Sequence, residues 1–168
     1  MGWCGARVGR DEGLVDARTD TPWLGGHPDP VEKKPLFHFL PGSIAWSLAR
    51  PGCNMKCRYC QNHHWSHPAH PLTGALPQDP GELIRLARHS GASALAFTYT
   101  EPTVWWEHCL PLMHLAREEG LRTIWVTNGW MEPQTLKTVL PFLDAVNLDL
   151  KGGTEDFYET WCRASLAP

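Results

Sequence analysis

Cys53, Cys57 and Cys60 fall within the stretch CNMKCRYCQNHHWSH, 53 to 67, at the spacing Cys-x3-Cys-x2-Cys. Thiolates bind soft metals strongly, and three of them are one short of the four that a closed zinc or iron-sulfur site takes. Either a fourth donor comes from elsewhere and the metal is structural, or one coordination position stays open and the metal can do chemistry. His63, His64, His67 and His70 follow closely enough to complete a zinc site. The three thiolates equally suit three irons of a 4Fe-4S cube whose fourth iron takes an outside ligand.

The elements that must position these cysteines form a regular pattern. SIAWSLA (43 to 49) reads as a short strand that delivers the chain to the cysteine loop. Asp79 and Pro80 open a helix that Gly91 stops, and 94 to 100 (ALAFTYT) is an apolar run suited to a strand covered on both faces. A helical pattern runs from 103 to 119, where Pro111 either kinks the helix or starts a second one, and Gly120 ends it. A strand at 123 to 127, a helix at 133 to 141, a strand at 145 to 150 and a helix beginning near Glu155 complete the series. Alternating strands and helices imply parallel strands joined by right-handed crossovers, with ligands gathering at the strand C-termini. Those termini read YTEP (99 to 102), VTNG (126 to 129) and DLKG (149 to 152), each polar directly after an apolar run. Together with the cysteine loop they place four polar loops on one rim.

At 168 residues and 42% apolar composition the chain suits one domain with a substantial core. A net charge of -3 and no basic run longer than Lys33-Lys34 argue against nucleic acid as a partner. Without a long apolar run or signal-like N-terminus no membrane partner is expected, and a cytoplasmic location is. Metal binding in a reducing compartment then accounts for the cysteines better than disulfides do. Residues 1 to 42 are expected to be an irregular N-terminal segment, rich in Gly and Pro turns, and 43 to 168 a barrel domain incomplete at its C-terminus. Four strands with a helix just begun leave a parallel edge open, so more chain is expected after Pro168.

The cysteine spacing, with Tyr59 before the last cysteine and βα units downstream, resembles the signature of the radical S-adenosylmethionine (SAM) superfamily. EKKPLFHFLPGS (32 to 43), GCNMKCRYCQN (52 to 62), TYTEPT (98 to 103), TNG (127 to 129) and DAVNLDLKG (144 to 152) extend the match. Together they resemble the radical SAM enzyme of the AmmeMemoRadiSam system, a relative of the pyruvate formate-lyase activating enzymes. GWCGARVGRDEGLV is similar to the end of that family's cysteine-containing N-terminal segment, so the resemblance covers roughly 3 to 168.

The resemblance implies an α/β fold, a partial (β/α) barrel truncated after about four βα units, with a 4Fe-4S cluster at its top. By analogy Cys53, Cys57 and Cys60 hold three irons, and the amino and carboxylate groups of SAM chelate the fourth. Reductive cleavage of SAM then gives methionine and a 5'-deoxyadenosyl radical, which abstracts hydrogen from a small-molecule or protein substrate. Glu101 occupies the glutamate position of the family's Gly-Gly-Glu-Pro motif, where a carboxylate accepts hydrogen bonds from the ligand ammonium; Tyr99 and Thr100 replace the two glycines. Thr127 and Asn128 lie where the family approaches the ribose and methionine carboxylate. Asp149 and Lys151 end the next strand on one side, and Tyr59 faces adenine mainly through its backbone. Val126 stands where the activating-enzyme branch often has an acid. An electron donor such as flavodoxin or ferredoxin is the implied partner.

Plainer readings accompany these. The motif is also compatible with a non-catalytic zinc- or cluster-binding module, or with an incomplete gene product. Glu101 is suited to capping the helix after Pro102, Asp149 and Lys151 to a strand-end ion pair, and Cys109 and Cys162 to the apolar core, while Cys4 is either a remnant of an upstream cluster or without a role.

Overall fold

The structure is a computed structural model that describes residues 7–10, 13–16, 21–74 and 76–167. Cys4 lies outside the described residues. Two short strands, β1 (Arg7–Arg10) and β2 (Gly13–Asp16), form an antiparallel pair of their own. The main sheet has five strands in the order of the chain: β3 (Leu24–Pro30), β4 (Ile44–Ala49), β5 (Ala94–Phe97), β6 (Arg122–Thr127) and β7 (Ala145–Leu148). β4 to β7 are parallel neighbours, and β3 adds to β4 antiparallel.

Among the described residues, the stretch up to Gly42 is therefore less irregular than its turn residues suggest. The GGHPDP segment is a strand, and its two prolines fit because β3 is an edge, where a missing N–H costs no ladder bond. The register shifts between Gly25 and His27, and Gly25 takes φ +92° where an added Cβ would sit 2.6 Å from the Ser47 carbonyl oxygen.

Side chains alternate in size across the sheet. Trp46, Leu48, Leu95, Phe97 and Trp125 point to a large core with Leu83, Ile84, Leu112, Met113 and Ala116. Those partners belong to α2 (Pro80–His89) and α3 (Trp106–Glu118), which cover that face. The opposite face carries Ala45, Ala94, Ala96 and Ile124 with Val31, a set small enough for the segment around Leu36, Phe39 and Leu40 to close over it. Large residues outward and small ones inward suit a sheet curling into a partial barrel.

The helices start where their sequence says. The Asp79 carboxylate accepts from the Glu82 amide at the head of α2. The pattern from 103 resolves into a 3-10 turn, Pro102–Trp105, and then α3, which continues through Pro111 as a single helix. α4 (Pro133–Val139) passes into a 3-10 turn, Leu140–Phe142. The last helix is short: α5 (Glu155–Phe157) widens into a π-turn, Tyr158–Cys162. A four-residue helix inside the cysteine stretch, α1 (His63–Ser66), carries two of its histidines. Cys109 and Cys162 are fully buried, as small apolar residues.

Two strands are shorter than their apolar runs. β5 stops at Phe97 because Tyr99 takes φ +68°, a left-handed conformation that breaks the ladder. β7 stops at Leu148, and no strand pairs with its outer side among the described residues. No described helix is long and apolar enough to cross a membrane.

Candidate functional site

The four polar loops meet in one cavity of about 350 Å³ at the C-terminal ends of β4 to β7. Its lining includes Cys53, Cys57, Cys60, Tyr59, Glu101, Thr127, Asn128, Asp149 and Lys151, all singled out from sequence. Parallel strands end on one rim, and that brings residues almost a hundred positions apart into one space.

Glu101 is the joint between loops. Its Oε1 accepts from the Thr127 hydroxyl at 2.6 Å, the Thr103 hydroxyl at 2.6 Å and the Thr103 amide at 3.1 Å, while Oε2 accepts from the Asn128 amide at 2.8 Å. It caps the 3-10 turn, as the plainer reading has it, and it also clamps TYTEPT to TNG. Burial pushes its carboxyl up, and the bonds from Asn128, Thr103 and Thr127 oppose that. The Glu101 amide donates to the Gly52 carbonyl oxygen at 3.3 Å, tying the clamp to the start of the cysteine loop.

Asn128 reaches the other way. Its amide nitrogen donates to Asn54 Oδ1 at 2.8 Å and sits 3.9 Å from Cys53 Sγ, while its oxygen accepts from the Trp130 amide at 2.9 Å. Gly129 follows at φ +74°, where a Cβ would meet the Leu148 side chain at 2.4 Å, so this loop needs its glycine.

The thiols are spaced around the cavity. Among the described residues no three His, Cys, Asp or Glu converge closely enough to hold a single metal ion. His67 bonds through Nε2 to the Met55 carbonyl oxygen at 2.6 Å, a loop-bracing contact. Cys60 Sγ lies 3.7 Å from the Ser66 hydroxyl, and Cys53 Sγ accepts from the Met55 amide at 3.4 Å. Burial, with the Glu101 charge second, pushes the Cys53 thiol up. Cys57 is pushed up to about 12, again by burial first and by Cys162 second. An anionic thiolate is therefore costly here without a cation.

Cys162 is a fourth thiol close by. Its Sγ lies 3.5 Å from the Tyr59 hydroxyl, and it is packed behind the loop with Met55 and Tyr158, Cys57 lying against the same cluster. It does not line the cavity. Tyr59 is half exposed, its ring against Phe157 at 6.2 Å, so its hydroxyl turns to Cys162.

Asp149 and Lys151 are an ion pair at 2.5 Å, with Leu148 and Leu150 exposed on the other side as alternation requires. Burial alone would lower Lys151, but the Asp149 bond, with the Asp149, Cys57 and Cys53 charges, raises it on balance. A cation thus faces the thiols.

Two lining residues, Asn62 and Ser66, and one behind the lining, Asn54, carried no sequence signal. Asn62 donates from its side chain to the Tyr99 carbonyl oxygen at 2.9 Å, Asn54 to the Trp130 carbonyl oxygen at 2.7 Å, and Ser66 borders Cys60. They sit inside or beside the cysteine motif, and only the fold reveals their partners.

The description "Radical SAM superfamily" belongs to the family model that matches residues 49–166. An uncharacterised Methanocaldococcus jannaschii protein, MJ0808, is 42% identical over 143 residues, spanning 83% of this chain and 41% of that one. The 7-carboxy-7-deazaguanine synthase of Thermococcus kodakarensis is 22% identical over 127 residues, 66% of this chain and 50% of the relative. In both cases the chain spans half or less of the relative's length. Among solved structures, QueE from Escherichia coli matches with a TM-score of 0.49 and 18% identity, over 67% of this chain and 54% of that one.

Proposed function

The chain belongs to the radical SAM superfamily, and from that premise we propose that Cys53, Cys57 and Cys60 hold three irons of a 4Fe-4S cluster whose fourth iron receives SAM. One observation carries the reading: the thiols and the three polar strand ends line a single cavity into which Cys162 does not reach. Three spaced thiols without a fourth donor fit a cluster with an open corner better than a zinc ion. The iron charge would also supply what keeps these buried thiols deprotonated. When bound, such a cluster supplies one electron to the SAM sulfonium, releasing methionine and a 5'-deoxyadenosyl radical that takes hydrogen from a substrate.

The remaining work belongs to the chain's own side chains. In the Glu101 carboxylate Oε1 is taken by Thr103 and Thr127, while Oε2 has the Asn128 amide as its one donor and is the oxygen left to accept from an ammonium group. Thr127 and Asn128 present polar edges to a carboxylate and a ribose, and Asp149 and Lys151 close the far rim. The Tyr59 backbone faces the adenine, since its ring and hydroxyl are engaged elsewhere. We read the chain as the AmmeMemoRadiSam type on its quoted motifs, served by an electron donor such as flavodoxin or ferredoxin in the cytoplasm.

Anaerobic reconstitution with iron and sulfide, then dithionite and SAM, is expected to yield 5'-deoxyadenosine. Zinc at one per chain with neither iron nor sulfide overturns the reading. Glu101→Gln is expected to keep the cluster absorbance and to weaken SAM binding by about ten- to a hundredfold, the size of one charge-assisted hydrogen bond. Equilibrium binding of SAM to the reconstituted variant checks this, and an unchanged affinity reduces Glu101 to a cap and a clamp.

A further inference from the structure

Ser66 is 3% exposed, lines the central cavity and sets its hydroxyl 3.7 Å from Cys60 Sγ. A hydroxyl taken out of water costs free energy unless it finds a partner, and a neutral thiol is a weak one in either direction. Serines in helices commonly turn back onto the carbonyl oxygen four residues earlier. Here that oxygen, of Asn62, already accepts the Trp65 and Ser66 amides, each at 2.9 Å. The hydroxyl faces the sulfur instead.

That position is imposed by the surrounding fold. α1 is a single turn, too short to hold its place unaided, and contacts on both sides brace it. The Gly52 amide donates to the Trp65 carbonyl oxygen at 3.1 Å, and the Asn62 side chain donates to the Tyr99 carbonyl oxygen at 2.9 Å. The Trp65 ring meets the Tyr99 ring edge-on, and the His67 ring is tied to the Met55 carbonyl oxygen. The cysteine loop closes onto the same turn, since the His63 amide donates to the Cys60 carbonyl oxygen at 3.3 Å. The stretch from His63 to His67 thus holds one hydroxyl against one thiol.

We infer that Ser66 is a positioning residue whose hydroxyl donates to the iron-bound Cys60 thiolate and raises the reduction potential of the cluster. The inference rests on the cluster reading above. A sulfur bound to iron carries no hydrogen, so of the two atoms only the hydroxyl can then donate, and the bond becomes charge-assisted. One-electron reduction adds negative charge to the cluster, part of it on the sulfurs, so a donor there favours the reduced form. Cys53 has its own donors, the Met55 amide at 3.4 Å and the Asn128 side chain at 3.9 Å. Ser66 gives Cys60 the equivalent bond.

Spectroelectrochemical titration of the reconstituted protein reads the midpoint. Ser66→Ala is expected to keep wild-type iron and sulfide and to lower the reduction equilibrium about three- to tenfold, tenfold being about 59 mV for one electron. Ser66→Thr and Ser66→Val match in shape and differ in the hydroxyl, so the Thr variant is expected to stay near wild type and the Val variant to fall with Ala. This pair also decides the matter where the Ala variant loads poorly. A serine that serves packing alone would alter iron content or melting temperature and leave the midpoints equal. Equal midpoints for Ser66→Thr and Ser66→Val, or for wild type and Ser66→Ala, overturn the inference while the cluster reading stands, and so does loss of the cluster from all three variants. If the wild-type chain takes up no iron and sulfide, the cluster reading fails and takes this inference with it.

Discussion

Cys57→Ala is expected to abolish the cluster: after anaerobic reconstitution the variant retains under a tenth or so of wild-type iron and sulfide, and forms no 5'-deoxyadenosine. The informative comparison is Cys162→Ala. Cys162 is fully buried in a cluster against which Cys57 packs, so proximity alone would make it a rival ligand. Its place behind the loop, outside the cavity, predicts that its loss costs packing and leaves iron content intact. Iron and sulfide analysis with the visible absorbance of both variants checks this. If Cys162→Ala loses the cluster as Cys57→Ala does, four thiols close the site, and the open corner on which SAM cleavage depends is gone.

The second large effect is structural. Asp29 on β3 is buried and accepts from Lys33 Nζ at 2.7 Å, Lys34 Nζ at 2.7 Å, Ser47 at 2.9 Å and the Tyr99 hydroxyl at 2.8 Å. Burial would raise its carboxyl, but the bonds from Lys33, Lys34, Tyr99 and Ser47 together hold it well below the usual carboxylate range. Lys34 is itself only 2% exposed, its ammonium lowered by burial and supported by Asp29. Asp29→Asn therefore strands a buried cation, and is expected to cost about 3–5 kcal/mol at neutral pH, a midpoint drop on the order of 10 °C. The pH dependence has a definite sign. A depressed folded-state carboxyl contributes stability that is present above the unfolded value near 4 and is lost as pH falls through the lower folded value. The gap between wild type and variant should thus narrow on acidification below about pH 4. It should narrow again in alkali, as the stranded lysine sheds its proton. Thermal melts across pH test this, and an unchanged midpoint at pH 7 would show the network to be ornamental to stability.

That network marks where the sequence stopped being readable. The runs of β4 to β7, the Asp79 cap and the polar strand ends were visible because they are local, and parallel topology then brought the four loops together. Asp29 lies in GGHPDP, whose turn residues mask a strand, and while Lys33 and Lys34 are near in sequence, its other two partners are 18 and 70 residues away. Tyr99, where the resembled motif has glycine, looked like a departure from pattern. The fold gives the reason it is tolerated: a left-handed residue whose hydroxyl binds Asp29 and whose ring meets Trp65 at 5.3 Å has contacts to offset its backbone strain. Cys162 reads from sequence as a core residue, which it is, but its place beside the cysteine loop was not visible, because the π-turn that carries it packs on a loop about a hundred residues earlier.

The two borders of the sheet differ in how they meet a stranger. β3 is sealed by its prolines and bulge, whereas β7 has no strand on its outer side among the described residues and stands beside Val146, Leu148 and Leu150, which are 42%, 62% and 67% exposed. Concentrated solutions of this chain should therefore aggregate from the β7 side, and a gatekeeper charge such as Val146→Lys should lower light scattering without disturbing the thiol-lined cavity, which has no wall at Val146.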